Sequence, residues 1–452
     1  MNDNPYDEVP YLTRPRMETH PDRLAAVGRL FGMRPAPVAE CSVLEIGCGD
    51  GSNLVPMAYG LPGSFAVGVD LAPGPIAAAQ RMAGDLELSN IRLVTADLRD
   101  IDEEYGTFDY VIAHGVYSWV PADVREGLLR VCAERLAPQG IAFVSYNVFP
   151  GRQMRQLLRE MMLYQTRRAP GPRQRIEQAR SFLHTIAEGR LAPPAWRELL
   201  QQEATILLEK DAGSFWHDDL APVNQPMYFH EFAAQAAGHG LQYLGDADSR
   251  VMFDPWRSSG EAPEDPLECE QYLDFLRCRR FRESLLCRAD VALDRNPGPE
   301  RMREFLFAAP SRRAKNGEIE GLNGVRVAPG HVELEAIVSA LGDAYPLPLS
   351  FDDLAPYGGE GLEEILFALV RSGFASFHVH DFPCEETVTP RPCASHLARW
   401  QAERGSLVTN ACHMPVQLED ADVGLLLQLD GTRAVAESEA LAWFARMGLL
   451  EG

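Results

Sequence analysis

The chain has 452 residues, more than one ordinary domain holds, and its acidic residues outnumber its basic ones by 65 to 42, for a formal net charge of −23. Such a surface repels nucleic acid, so we expect no nucleic-acid partner. No apolar run approaches the roughly 20 residues that span a bilayer, which predicts no membrane insertion. Nine cysteines without a CxxC pair favour reduced thiols in a cytoplasmic protein and argue against a metal site.

Residues 1–40 are predicted to form an N-terminal arm. Their first half is polar and rich in proline, and it contains Tyr6 and Tyr11. Proline-rich polar sequence disfavours a packed helix or strand. We expect the arm to fold over a ligand as a lid, with Tyr11 among the contacts. The alternative is a strap along the edge of the sheet.

From residue 41 onward, strand-like and helix-like segments alternate. Five short segments rich in Val, Ile and aromatic residues are predicted strands: 42–48, 65–71, 91–98, 108–116 and 140–147. Alternation of this kind predicts a parallel, doubly wound α/β sheet. In such sheets ligands bind at the carboxyl ends of the strands.

Residues 152–228 interrupt the alternation with helical sequence. Arg152, Arg155 and Arg159 recur at spacings of three and four, so they share one helix face. We interpret this face as solvated surface in preference to a docking patch for an acidic partner. Residues 229–295 then return to helix and strand, which predicts the last two strands of the same sheet.

Two further units follow the sheet. Residues 296–380 alternate as strand, three helices and strand, which predicts a winged-helix-like domain. Its third helix carries three glutamates between residues 360 and 364. These charges disfavour a phosphate-binding role, so a scaffold or protein-docking role fits better. Residues 381–452 are predicted to form a small C-terminal domain.

The loop VLEIGCGDGSN, residues 43–53, contains three glycines at alternate positions. They permit a tight turn and a close approach of the backbone to a ligand. A dinucleotide-binding loop would carry glycine or alanine at position 52, where Ser52 stands. Glu45 and Asp50 are unfavourable for a pyrophosphate but suit a ligand with a sulfonium and an ammonium group. The loop therefore predicts S-adenosylmethionine (AdoMet), with NAD ranked below it.

Two strand ends support this cofactor. Asp70 ends the second predicted strand, where a carboxylate can accept the ribose hydroxyls. Asp97 ends the third, where it can accept a proton from the adenine amino group. The predicted AdoMet contacts are Tyr11, Glu45, Gly47, Cys48, Gly49, Gly51, Asp70, Leu71, Asp97, Leu98 and His114.

Several longer motifs extend along the chain. They are YDEVPY, THPDRLA, AHGVYSWVP, YNVFPG, LAPVNQPMYFHEFAAQA, QYLDFLRCRRFRESLLC and ASHLARWQAERGSLVTN. Together they resemble bacterial class I methyltransferases that carry a methyltransferase regulatory domain. The resemblance implies a Rossmann-like sheet with a helical insertion, followed by the two further domains. Its best understood members methylate lysines of bacterial surface proteins, which implies a protein substrate presenting lysine side chains.

The predicted organisation follows from these observations. Its units are an N-terminal arm or lid (1–40), an AdoMet-binding core (41–151), a helical insertion for substrate or dimer contacts (152–228), the completion of the sheet (229–295), a winged-helix-like domain (296–380) and a C-terminal domain (381–452). A homodimer through the insertion is compatible with this pattern.

A lysine methyltransferase must deprotonate and align its acceptor amine. We predict that residues at the ends of the fourth and fifth strands do this. The predicted catalytic residues are Tyr117, Trp119, Tyr146 and Asn147. Two other functions stay open. One is N- or O-methylation of a small molecule or modified peptide, and the other is a non-catalytic regulator that senses AdoMet.

Overall fold

The structure is a computed structural model. It describes residues 9, 13–189, 193–253, 255–258, 260–314, 317–321, 324–328, 330–382 and 388–451. The predicted lid residues Tyr6 and Tyr11 lie outside the described residues. No helix within these ranges is long and apolar enough to cross a membrane.

A seven-stranded sheet forms the centre of the protein. Its strands are β1 (Ser42–Ile46), β2 (Phe65–Asp70), β3 (Ile91–Thr95), β4 (Phe108–Ala113), β5 (Leu136–Asn147), β6 (Leu241–Asp246) and β7 (Phe281–Arg288). They lie in the order β3-β2-β1-β4-β5-β7-β6, and only β7 is antiparallel to its neighbours. The order reverses beside β1, so β1, β2 and β4 present their carboxyl ends at the switch point where ligands bind. The predicted sheet is confirmed.

Helices flank the sheet and build the later units. They are α1 (Pro21–Leu30), α2 (Leu54–Gly60), α3 (Pro73–Asp85), α4 (Ala122–Arg135), α5 (Arg152–Thr166), α6 (Pro172–Glu188), α7 (Pro194–Leu208), α8 (Ala212–Ser214), α9 (Phe229–Gly238), α10 (Ser249–Met252), α11 (Pro266–Arg277), α12 (Val332–Ala344), α13 (Phe351–Gly358), α14 (Leu362–Arg371), α15 (His396–Ala402), α16 (Asp420–Leu426) and α17 (Glu439–Arg446). Local sequence sets several of their starts. In α1, for example, Pro21 occupies the first position and the His20 side chain accepts a hydrogen bond from the Asp22 backbone.

The unit predicted at 296–380 contains the three expected helices and the final strand, but four strands among the described residues precede the first helix and one strand separates it from the second. Its three-stranded sheet combines β8 (Leu306–Ala308), β12 (Leu349–Ser350) and β13 (Ser376–His378), and α12, α13 and α14 accompany it. A second small sheet contains β9 (Ser311–Arg313), β10 (Ile319–Gly321) and β11 (Arg326–Val327). The C-terminal domain pairs β14 (Cys393–Ala394) with β17 (Leu450–Glu451), and β15 (Leu407–Thr409) with β16 (Pro415–Gln417).

One hydrophobic core joins the 296–380 unit to the sheet. It runs from Ile141 of the sheet through Leu24 of α1 to Phe307 and Phe377 of the unit, all fully buried. Residues on the opposite face of the sheet, together with α4 and α9, form a separate core. The 296–380 unit therefore completes the packing of one face of the sheet.

The arginine face of α5 points inward, so the prediction of a solvated face is wrong. Arg155 and Arg159 are only 6% and 5% exposed. The Arg155 guanidinium lies 3.2 Å from Glu203 and 3.5 Å from Asp219. Lys210 adds a 2.7 Å contact to Asp219. The helical period identified the shared face, but the acids that neutralise it come from other segments, and buried charges require such partners.

Candidate active site

The glycine loop after β1 adopts a backbone that only glycine enters readily. Gly47, Gly49 and Gly51 have φ angles of 74°, 55° and 77°. A Cβ atom on Gly47 would lie 2.5 Å from Val116, and one on Gly51 would lie 2.8 Å from Ala79. At Gly49 a Cβ would meet no atom within 4 Å. The turn is thus packed at its two ends and open in the middle.

A cavity of about 310 Å³ lies beside this loop. It is bounded by the strand ends, the N-terminal arm and the helical insertion. Its lining residues are Thr13, Arg14, Arg16, Glu45, Gly47, Cys48, Gly49, Asp50, Ser52, Asn53, Asp70, Ala72, Pro75, His114, Gly115, Trp119, His217 and Asp218. Six of the predicted cofactor contacts therefore meet at one site, and Gly51 packs behind the turn.

Glu45 is a buried carboxyl group in the cavity wall, 4% exposed. Its Oε1 accepts a hydrogen bond from Asn53 Nδ2 at 2.8 Å. Its Oε2 is buried without a hydrogen-bond partner among the described residues. Burial is the main cause that raises the Glu45 pKa to about 8. A cationic group in the cavity would satisfy this carboxyl.

Two aspartates hold the loop and the arm together. Asp70 Oδ2 accepts from the Gly49 backbone at 2.9 Å, and its Oδ1 accepts from the Ala72 backbone at 2.8 Å. Asp50 accepts from Thr13 Oγ1 at 2.7 Å. The strand-end carboxylate therefore shapes the turn, and the loop carboxylate anchors the arm over it.

His114 directly follows β4 and lines the cavity. Burial, followed by the charges of Arg16 and Arg14, lowers its pKa to about 3. Its Nδ1 is buried without a hydrogen-bond partner among the described residues. The ring is therefore neutral at physiological pH and is a weak proton acceptor.

Two of the four predicted catalytic residues lie in the core on the other face of the sheet. Tyr117 and Tyr146 are fully buried. Tyr146 stacks on Phe232 with ring centroids 4.1 Å apart, and its hydroxyl lies 3.0 Å from Ser284 Oγ. The Tyr117 hydroxyl donates to Gln235. Their positions support packing, not contact with an acceptor.

Asn147 is also fully buried, and its Nδ2 donates to Asn224 Oδ1 at 3.1 Å. Asn224 in turn donates to the backbone oxygen of Asp218, which lines the cavity. Asn147 thus supports the cavity wall from behind. Of the four predicted catalytic residues, Trp119 alone lines the cavity.

Three predicted cofactor contacts, Leu71, Asp97 and Leu98, do not line the cavity. The Asp97 carboxylate accepts two hydrogen bonds from the Arg99 guanidinium, at 2.7 and 3.0 Å. Leu98 packs in the core behind β3, and Leu71 is 70% exposed. The position of Asp97 at a strand end did not indicate that its carboxylate is already hydrogen-bonded to Arg99.

Sequence reasoning missed several cavity residues. Thr13, Arg14 and Arg16 come from the arm, whereas His217 and Asp218 come from the π-helical turn Phe215–Asp219 of the insertion. His217 Nε2 lies 2.7 Å from the backbone oxygen of Val9, which ties the arm to the insertion. Their places in the sequence carry no recognisable motif, so only packing brings them to the site.

The charges of the cavity fit AdoMet. Carboxylates on one side complement an ammonium and a sulfonium, and the arginines of the arm complement a carboxylate. The unpartnered Glu45 oxygen and the open space at Gly49 mark where a ligand would be received. No group of three or more possible metal ligands occurs among the described residues.

Comparison with known proteins agrees with this site. A methyltransferase domain profile matches residues 43–140, a predicted methyltransferase regulatory domain profile matches 211–288, and a PKMT C-terminal winged helix domain profile matches 390–445. An uncharacterized protein of Rickettsia prowazekii is 32% identical, over 95% of this chain and 83% of its own length. The chain belongs to the bacterial class I methyltransferases with a methyltransferase regulatory domain. It is an AdoMet-dependent methyltransferase, and AdoMet is its methyl donor.

Two other relatives bear on the rest of this methyltransferase. PKMT2 from Rickettsia typhi, also solved in complex with AdoHcy, is 26% identical and superposes with a TM-score of 0.86, covering 98% of this chain and 100% of the other. A 2-heptyl-1-hydroxyquinolin-4(1H)-one methyltransferase of Mycobacteroides abscessus is 30% identical over 96 residues, 21% of this chain and 41% of its own. The family winged helix lies at 390–445, in the unit that sequence reasoning described only as a small C-terminal domain.

Proposed function

We propose that this methyltransferase transfers methyl groups to lysine side chains of a protein. The observation that carries the proposal is the match to PKMT2, which spans nearly all of both chains and includes every domain after the sheet. The profile named for PKMT proteins at 390–445 supports it independently. The similarity to the quinolone methyltransferase covers 96 residues, only 21% of this chain, so it does not indicate the acceptor.

We assign the cavity residues to parts of the cofactor by their charges. Glu45 receives the ammonium group, and Arg14 or Arg16 receives the carboxylate. Asp70, already fixed by the Gly49 and Ala72 backbones, faces the ribose. Bound AdoMet supplies a methyl group on a cationic sulfur. The residues of the protein therefore need only to hold the cofactor, orient the acceptor amine and remove that amine from water.

We assign the acceptor side of the cavity to Trp119 and to His217 and Asp218 of the insertion, all of which line its wall. A lysine with a pKa near 10.4 must lose a proton, which costs about 4.6 kcal/mol at pH 7. Removing the ammonium from water lowers its pKa and so reduces this cost. The Trp119 ring offers an apolar surface for the aliphatic stem, and the arm and insertion limit the access of water.

The test is identification of the acceptor. The protein is incubated with labelled AdoMet and host lysate, and the labelled residue is located by mass spectrometry. The proposal expects label on lysine Nζ atoms of a polypeptide, with free lysine a poor acceptor. Label confined to small molecules would overturn it. A Glu45→Gln protein serves as the control for adventitious labelling.

Binding of AdoMet should release a proton from Glu45. The carboxyl has a pKa of about 8 without ligand, so it is largely protonated at pH 7. A cation beside it lowers that pKa and drives the proton off. Affinity should therefore rise with pH up to about 8. Calorimetry at pH 7 in two buffers of different ionisation enthalpy measures the release.

The same carboxyl links the stability of the ligand-free protein to pH. Its pKa is raised from the ordinary value of 4.5, which it regains in the unfolded chain, to about 8 in the folded chain. Its contribution to the free energy of unfolding is therefore fully present below pH 4.5 and is lost as the pH rises through 8. In Glu45→Gln the buffer-dependent heat of AdoMet binding should vanish. The pH-dependent contribution of residue 45 to the free energy of unfolding should vanish as well. Persistence of the proton release in that variant would assign it to another group.

A further inference from the structure

We propose that the C-terminal domain contributes a positioning residue to the cofactor site, in that His413 holds Asn53 and thereby orients Glu45. The inference rests on the proposed role of Glu45 in cofactor binding, and it does not depend on the identity of the acceptor. It makes the C-terminal domain part of the AdoMet site, although the glycine loop and this domain lie at opposite ends of the sequence.

A continuous chain of hydrogen bonds connects the domain to the cavity. His413 Nε2 lies 3.0 Å from Asn53 Oδ1, and Asn53 Nδ2 donates to Glu45 Oε1 at 2.8 Å. His413, Asn53 and Glu45 are 3%, 9% and 4% exposed. Because these three side chains are buried, water does not readily replace a missing hydrogen-bond partner among them. The other Glu45 oxygen is buried at the cavity wall without a partner among the described residues.

One backbone contact shows which atoms donate and which accept in these hydrogen bonds. The Arg16 backbone N–H, which can only donate, lies 2.9 Å from Asn53 Oδ1. That atom is therefore the amide oxygen, so the His413 ring must donate from Nε2. The Asn53 nitrogen is left to donate to Glu45 and to Thr19 Oγ1, at 3.0 Å. Without His413 the amide would lose one of the contacts that set its orientation.

The C-terminal domain builds a dedicated turn for this histidine. His413 has a φ of 57°, a left-handed conformation that residues other than glycine rarely adopt. Its backbone N–H donates to the Asn410 backbone oxygen at 3.0 Å. The Asn410 side chain donates to the Met447 backbone and accepts from the Met414 backbone, which fixes the turn. Such a conformation persists where the surroundings enforce it, and it is typical of functional positions.

The contact lies at the wall of a cavity of about 520 Å³ between α2 and the domain, which His20 and Tyr59 also line. Beside this cavity, Val55 of α2 and Leu397 of the domain share one buried apolar cluster. The polar contact of the domain with α3 lies on exposed positions, where Trp400 Nε1 donates to Asp85 at 2.9 Å. His413 therefore forms a buried polar contact between the domain and the glycine loop. A movement of the domain would change the position of the Glu45 carboxyl group.

The experiment measures AdoHcy binding by calorimetry on the full chain. His413→Phe keeps the ring and removes the donor, so it should weaken AdoHcy about three- to tenfold, the range expected for one lost hydrogen bond. His413→Gln retains a donor and should restore most of the affinity. If the phenylalanine protein does not fold, His413→Asn tolerates the left-handed backbone but is too short to reach Asn53, and it should show the same loss. His396→Ala, an exposed histidine of the same domain, should bind as the parent does.

A double-mutant cycle separates positioning from general destabilisation. In an Asn53→Ala background, His413→Phe should have little further effect on AdoHcy affinity, since the link is already broken. Unchanged affinity in folded His413→Phe, or full additivity with Asn53→Ala, would overturn the inference. Normal binding by Glu45→Gln would instead overturn the assignment of Glu45, which distinguishes the two failures.

Discussion

Asp70→Ala should weaken AdoMet binding about tenfold or more, because two hydrogen bonds to a carboxylate are lost together. The carboxylate accepts from the backbones of Gly49 and Ala72, so it fixes the loop as well as facing the ribose. The loss should appear as a higher dissociation constant in calorimetry with AdoHcy. It should also lower the gain in melting temperature that the ligand produces.

Two variants check the origin of this effect. Asp70→Asn keeps one acceptor of similar size and should give an intermediate loss. Asp100→Ala removes an exposed aspartate soon after β3 and should bind AdoHcy normally. Equal affinity of the Asp70→Ala and parent proteins would remove Asp70 from the site.

A chain ending at residue 295 should fail to fold cooperatively and should lose AdoMet binding. Completion of the sheet before residue 295 would by itself favour retained affinity, provided that the shortened chain folds. The sheet does end at Arg288, but its α1 face shares one core with the 296–380 unit. Burial of each large apolar side chain contributes about 1.5–3 kcal/mol. Exposing several would cost a free energy comparable to the stability of about 5–15 kcal/mol that a typical domain has.

Polar contacts also join α1 to the 296–380 unit. Asp22 of α1 accepts from the Val379 and His380 backbones, at 2.7 and 2.9 Å, and lies 2.7 Å from His378 Nδ1. Truncation leaves this buried carboxylate without those partners. Circular dichroism melting and AdoHcy calorimetry are the measurements. A cooperative transition with parental affinity would contradict the prediction.

A chain ending at residue 382 provides the matched comparison. It keeps the shared core and the Asp22 contacts but lacks His413 and the C-terminal domain. We expect it to melt cooperatively and to bind AdoHcy more weakly than the full chain. If both truncated chains bind as well as the full chain, neither the shared core nor the His413 contact supports the cofactor site.

Features that depend on local conformation were predictable from the order of the residues. Strand–helix alternation predicted the sheet and its parallel strands β1 to β5, because a strand followed by a helix returns in parallel. It did not predict that β7 lies antiparallel between β5 and β6. Three glycines between Glu45 and Ser52 predicted the loop and its ligand, since backbone freedom and charge are properties of the residues themselves. The motifs spread along the chain indicated the family for the same reason.

Contacts between side chains from distant segments depend on the packing of the whole chain. Tyr146 and Asn147 end the predicted strand, but successive residues of a strand point to opposite faces, and packing buried both. The arginines of α5 turned inward because their acids lie elsewhere in the chain. Asn53 and His413, 360 residues apart, form a contact that no local pattern encodes. Helix and strand periods specify a face, whereas the partner of that face depends on how distant segments pack.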